Sequence, residues 1–108
     1  MSRPTEVQPC AIVCNGKSCR GPARERLCEA LRADGVRVVT SRCLKVCEGP
    51  VVVVAIRDRW DVVERVRSKQ AQRRVIEALQ RQRRAPIKKR LVEGGERRRA
   101  LDRAPLPS

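Results

Sequence analysis

The stretch "CLKVCEGPVVVV", Cys43 to Val54, sets two cysteines with three residues between them at the entrance to four consecutive valines. Pro50 can begin a strand but cannot sit inside one, so the strand is predicted to start there and run to Ile56. It is apolar on both faces, which predicts a central position in a sheet. The run Val51 to Ile56 is six residues long, far short of a membrane span. The cysteine spacing is one residue too long for a Cys-x-x-Cys redox pair. Two thiols are therefore expected in a loop at the mouth of a buried strand.

Upstream, "AIVC" (Ala11 to Cys14) reads as a first short buried strand, and "NGKSC" after it opens with an Asn15-Gly16 turn signal. Pro22 and Gly35 stand where a helix would begin and stop. Between them Ala23, Leu27, Ala30 and Leu31 share one helical face. "VRVVT" (Val36 to Thr40) predicts a second strand. Beyond "RDR", Trp60 to Val66 predicts a fourth, with Trp60, Val62 and Val66 on one face. Ser68 is a candidate N-cap for a second helix carrying Ala71, Val75, Ala78 and Leu79 and ended by Pro86. From about residue 84 the apolar period dissolves into Gly-Gly, prolines and arginine runs, which predicts a flexible tail. The expected architecture is α/β, with the order β-α-β-β-β-α over residues 1–84 and a basic, disordered tail over 85–108.

A chain of 108 residues holds one small domain. It has one Trp and no Phe or Tyr, so the core rests on Val, Leu, Ile and Ala. A core that small benefits from an added staple, and six cysteines are available to supply one. "MSRPTEVQPC" has no apolar segment of the signal-peptide kind, so a cytoplasmic setting is expected, where clustered cysteines mean metal or redox chemistry more often than disulfides. The net charge of +14 is uneven: residues 1–56 carry +4 and residues 57–108 carry +10.

Cys14, Cys19, Cys43 and Cys47 all fall in predicted loops at strand ends. Cys10 lies roughly 13 Å from Cys14 along an extended strand, too far for a shared centre. Cys28 falls beside the helical core stripe and reads as a small buried hydrophobe. Two thiolate pairs favour tetrahedral sulfur sites, zinc or iron–sulfur, and spacing alone admits both. With no histidine, most catalytic-zinc and imidazole-based mechanisms are excluded.

The pairing of "CNGKSCRG", a Cys-x4-Cys opening the first helix, with "CLKVCEGPVVVV", a Cys-x3-Cys followed by Gly-Pro and a valine-rich strand, resembles the thioredoxin-like 2Fe–2S ferredoxins. That family includes the small ferredoxin-like subunit of respiratory NADH dehydrogenase. "RDRW" and the helix over 68–82 fit as well, so the resemblance covers roughly residues 11–82. It implies a thioredoxin-like sheet, a single 2Fe–2S cluster held by Cys14, Cys19, Cys43 and Cys47, one-electron transfer and a homodimer. The spacing departs from the family at one point, with only 23 residues between Cys19 and Cys43.

On this reading Gly16 and Gly49 let the backbone approach the centre closely, and loop N–H groups donate to the sulfurs. Lys17, Arg20, Arg42 and Lys45 either raise the potential of the centre or are ordinary solvated cations. The expected partner is an acidic redox protein, with no membrane and no enzymatic activity of the chain's own. Two other classes fit parts of the sequence. One is a structural or adaptor domain stapled by zinc on four cysteines. The other is a nucleic-acid-binding protein, suggested by the basic second half, although arginine outnumbers lysine 21 to 5 and no aromatic stacking platform accompanies it. A regulatory cluster is indistinguishable from a carrier at this level.

Overall fold

The two-faced apolarity of the valine run is resolved by a sheet with cover on both sides. The computed structural model describes residues 9–17, 19–46, 49–57 and 59–106. Its elements are β1 (Cys10–Cys14), α1 (Pro22–Ala33), β2 (Arg37–Ser41), β3 (Val52–Ile56), β4 (Arg59–Val63), α2 (Lys69–Arg81), a 3-10 segment (Ala85–Arg90), β5 (Leu91–Val92) and α3 (Gly94–Arg103). The strands form one mixed five-stranded sheet in the order β2-β1-β3-β4-β5. β1 and β2 are parallel, and the remaining neighbours are antiparallel. β3 is therefore central, as the valines require.

Alternation along the strands splits the core in two. Ala11, Val13, Val52, Val54 and Val63 face α1 and α2, where Leu27, Leu31, Val75 and Leu79 close over them. Ile12, Cys14, Val51, Val53 and Val62 face the other way, and Ala100 and Leu101 of α3 lie against them. α1 starts at Pro22, whose missing N–H costs nothing at a first helical position. α2 is capped by Ser68, whose hydroxyl oxygen accepts from the Ala71 amide at 3.0 Å.

Four expectations need correction. First, the segment over 85–108 does not read as a flexible tail: through residue 106 it is a 3-10 turn, a strand, a helix and a short extension. Ile87, Val92 and Ala100 are each at most 5% exposed. Their spacing shows no helical or strand period because each comes from a different element. Arg84 and Arg59 both hold the fully buried Asp61 carboxylate, at 2.6 and 2.8 Å, which ties the start of this segment to β4. Second, β4 ends at Val63, and Arg65 takes a left-handed backbone with φ of 56°. Val62 and Val66 consequently belong to opposite cores.

Third, α2 is ended by Gln82 in the left-handed region, with φ 52° and ψ 49°, four residues before Pro86. Gln82 is held there because its side chain accepts from the Arg57 amide at 2.6 Å and donates to the carbonyls of Ala55 and Leu79. Fourth, the buried face of α1 runs through Arg24, Leu27, Cys28 and Leu31, while Ala23 and Ala30 fall outside it. Among the described residues, no helix is long and apolar enough to cross a membrane.

Candidate functional site

The parallel pairing of β1 with β2 and the antiparallel pairing with β3 bring three chain segments to one end of the sheet. Cys14 closes β1, Ser41 closes β2, and Val51 precedes β3. The Cys14 amide donates to the Val51 carbonyl at 3.0 Å, and the Asn15 amide donates to the Ser41 carbonyl at 2.9 Å. The loop carrying Cys19 and the loop carrying Cys43 therefore leave the sheet side by side. The first then tightens on itself: the amides of Cys19 and Arg20 both donate to the Gly16 carbonyl, at 3.0 and 3.1 Å.

The two loops interlock at Gly16. A Cβ added there would stand 2.8 Å from Cys43 Cβ and 3.0 Å from Cys43 Sγ, so only glycine permits the approach. Backbone N–H groups are turned toward the sulfurs. Gly16 donates to Cys14 Sγ and Lys45 to Cys43 Sγ, each at 3.4 Å. The amide of Leu44 also points at Cys14, and that of Val51 at Cys19. Lys45 reaches this arrangement with a positive φ of 64°.

Cys14 and Cys19 are 1% and 3% exposed, in the core that holds Leu44, Val46 and Val51, whereas Cys43 is half-buried. The Cys19 thiol donates to the Cys14 sulfur. Together with the Gly16 and Leu44 amides and the Arg24 charge, this brings Cys14 down from an ordinary 9.0 to about 6, against the opposing effect of burial. Cys19 is pushed strongly upward by the same hydrogen bond and then by burial, with the nearby Cys14 and Cys43 charges adding to it.

Of the four cysteines singled out in the sequence, Cys14 and Cys19 meet directly. Cys43 joins them through its contact with Gly16. Cys47 lies outside the described residues, as do Ser18 and Glu48. Among the described residues, no group of three or more Cys, His, Asp or Glu side chains is arranged to hold a metal ion. Cys10 and Cys28 stand apart. Cys10 opens β1 at its other end, opposite Arg37, and Cys28 is buried in the opposite core. Burial pushes both thiols up.

Lys17, Arg20, Arg42 and Lys45 are all exposed at this end of the sheet. Two further arginines hold the cysteine segments, and sequence reading does not identify either. Arg24, only 8% exposed, donates through Nε to the Cys14 carbonyl at 2.9 Å and through Nη2 to Thr40 Oγ1 at 3.1 Å. Its signal was available, since it stands at helical spacing from Leu27, Cys28 and Leu31. Arg103 of α3 donates through Nε to the Cys43 carbonyl at 2.6 Å, from sixty residues away. No local pattern could have announced that contact. Gly49 receives a comparable bond, its carbonyl accepting from Arg67 Nε at 2.7 Å. No family model matches the chain, and neither a curated protein nor a solved structure shows significant similarity to it.

Proposed function

We propose that the chain is a one-electron carrier that holds a single 2Fe–2S cluster through Cys14, Cys19, Cys43 and Cys47. The observation that carries this reading is the interlock of the two cysteine loops at Gly16, with amide N–H groups aimed at the sulfurs of Cys14, Cys19 and Cys43. An all-sulfur donor set of this kind suits iron–sulfur or zinc. The order β2-β1-β3-β4, with its first pair parallel and the rest antiparallel, supports a thioredoxin-like arrangement around it.

A 2Fe–2S centre, when bound, supplies reversible one-electron chemistry. The chain's own groups then have defined tasks. The N–H groups of Gly16, Leu44, Lys45 and Val51 stabilise negative charge on sulfur, which favours the reduced form. Leu44, Val46 and Val51 keep water from Cys14 and Cys19. Arg24 and Arg103 fix the carbonyls of Cys14 and Cys43, so neither loop can drift from the other.

The test is metal and acid-labile sulfide analysis of anaerobically purified protein, with an electron paramagnetic resonance spectrum after reduction. About two iron and two sulfide per chain with one rhombic signal are expected. Zinc without sulfide would overturn the reading in favour of a zinc-stapled structural domain.

A further inference from the structure

Strand register extends the thiol end of the sheet well beyond the cysteine loops. Val13 pairs with Val52, Val52 with Val63, and Val63 with Leu91. The residues that follow β4 and those that precede β5 therefore share this end with the thiols. The contacts are continuous. The Val66 amide donates to the Pro50 carbonyl at 3.0 Å, and the Glu64 amide to the Arg90 carbonyl at 2.9 Å. Three strand spacings separate Cys14 from Leu91, about 14 Å.

This end is strongly cationic. Arg74 of α2 and Lys88, Lys89 and Arg90 of the 3-10 segment line a depression of about 410 Å³. Lys89 and Arg90 also line an adjoining one of about 240 Å³ with Arg65. No carboxylate lines either depression. Among the described residues, Arg74, Lys88, Lys89 and Arg90 form no ion pair. Glu64 is the acidic residue nearest them in the strand register, and Arg65 holds its carboxylate at 3.1 Å. Glu25, paired with Arg24 at the start of α1, and Asp102, beside Arg103, lie near the cysteine loops, on the other side of this end from the groove. Two further carboxylates are held toward the opposite end of the sheet. Asp34 is bound by Gln80 near the end of α2, and Glu93 by Arg59 at the start of β4. The groove itself is thus a local cluster of unpaired cations with no carboxylate in its lining.

We propose that this cationic end is the docking surface for an acidic electron-transfer protein, whose carboxylates seat in the groove of Arg74, Lys88, Lys89 and Arg90. The proposal rests on the carrier reading, because a redox partner must reach the same end of the sheet as the thiols. A single-stranded nucleic acid fits less well. Trp60, the only aromatic residue, packs into the core of the second face, so no base-stacking platform accompanies the cations.

The experiment titrates the full chain, purified anaerobically, into fluorescently labelled acidic flavodoxin, and in parallel into a labelled single-stranded oligonucleotide. Flavodoxin binding should weaken about tenfold between roughly 50 and 500 mM salt. At low salt, Lys88→Glu/Lys89→Glu should weaken it about tenfold, and the charge-matched Arg83→Glu/Arg98→Glu less than about twofold. Circular dichroism should show both variants folded, since none of these side chains is buried.

Three results would overturn the proposal: no salt-sensitive flavodoxin binding, equal loss in both variants, or tighter oligonucleotide binding that Lys88→Glu/Lys89→Glu abolishes. Stopped-flow mixing with reduced flavodoxin separates the two readings. Salt-sensitive binding with no iron and no electron transfer removes the carrier reading alone. An iron–sulfur protein that dithionite reduces but flavodoxin does not bind removes the docking surface alone.

Discussion

Gly16 is where a single methyl group decides the site. Its missing Cβ is what lets Cys43 stand against the first cysteine loop. Gly16→Ala should force the loops apart, costing about 1–3 kcal/mol in a urea titration and lowering iron content in proportion. A normal iron content in Gly16→Ala would show that the loops need not touch. The six cysteines should divide by position. If the proposed 2Fe–2S cluster is held as inferred, serine at Cys14, Cys19, Cys43 or Cys47 is expected to strip or visibly alter its spectrum. Cys10→Ser should leave it unchanged. Cys28→Ser should also leave it, while costing about 1 kcal/mol through a hydroxyl buried in the opposite core. Loss of the spectrum in Cys28→Ser with its retention in Cys19→Ser would reverse the ligand assignment.

The metal-free thiols give a pH signature. Cys14, at about 6 in the folded chain against 9.0 when unfolded, is a depressed acid. Its contribution to stability is fully present above 9.0 and is lost as pH falls toward 6. Cys19, raised above 9.0, acts in the opposite sense, and only in alkaline solution. The melting temperature of the metal-free chain should therefore rise from pH 6 to pH 9 more than that of Cys14→Ser. Parallel curves would show that Cys14 is an ordinary thiol. At this scale the sequence is most legible, because thiol spacing and a Gly within two residues of a Cys are local facts. Arg24 shows where legibility stops. Its place on the buried helical stripe is a local fact, but the Cys14 carbonyl and Thr40 hydroxyl it binds come from strand ends that only folding brings to it.

Among the elements, the 3-10 segment depends most on a single buried charge. Asp61 is fully buried, and its two oxygens accept from Arg59 and Arg84. Arg84 also donates to the Ile56 carbonyl at 3.1 Å. Arg84→Met leaves a buried carboxylate with one partner that is itself 42% exposed. A loss of about 3 kcal/mol in unfolding free energy is expected, with partial recovery in Arg84→Lys. A loss below about 0.5 kcal/mol would mean that the pair is peripheral to the anchoring of the segment. α1, β3 and α2 are readable in advance because proline, serine and apolar period act within one or two turns. The end of α2 is not, because Gln82 is pinned by the hairpin between β3 and β4, which lies far away in sequence.

The whole molecule depends on its second face. α3 closes Ile12, Val53 and Val62 with Ala100 and Leu101, and Arg103 ties the result to Cys43. Deleting residues 85–108 would expose that face, remove Ile87 and Val92 from cover, and free the second cysteine loop. At about 1.5–3 kcal/mol per large buried side chain, the loss amounts to a sizeable part of the stability of a domain this small. The truncated chain should show a broadened thermal transition and, on the proposed carrier reading, hold little or no iron. A sharp transition at the full-length temperature would mean that α3 contributes no cover.

Readable from local pattern alone are the central position of the valine strand, the proline start of α1, the serine cap of α2, the strand-end placement of Cys14, Cys19 and Cys43, and the exclusion of Cys10 and Cys28 from their loops. The fate of the basic segment rests on long-range packing instead. A two-residue strand and a ten-residue helix with three adjacent arginines have no stability alone. They fold because β3 is apolar on both faces while α1 and α2 cover only one. The demand for that second cover was present in the four valines. The residues that answer it, Val92 of β5, Ala100 and Leu101 of α3, and Ala104 and Leu106 beyond it, share no single period, and burial against a common sheet is what brings them together.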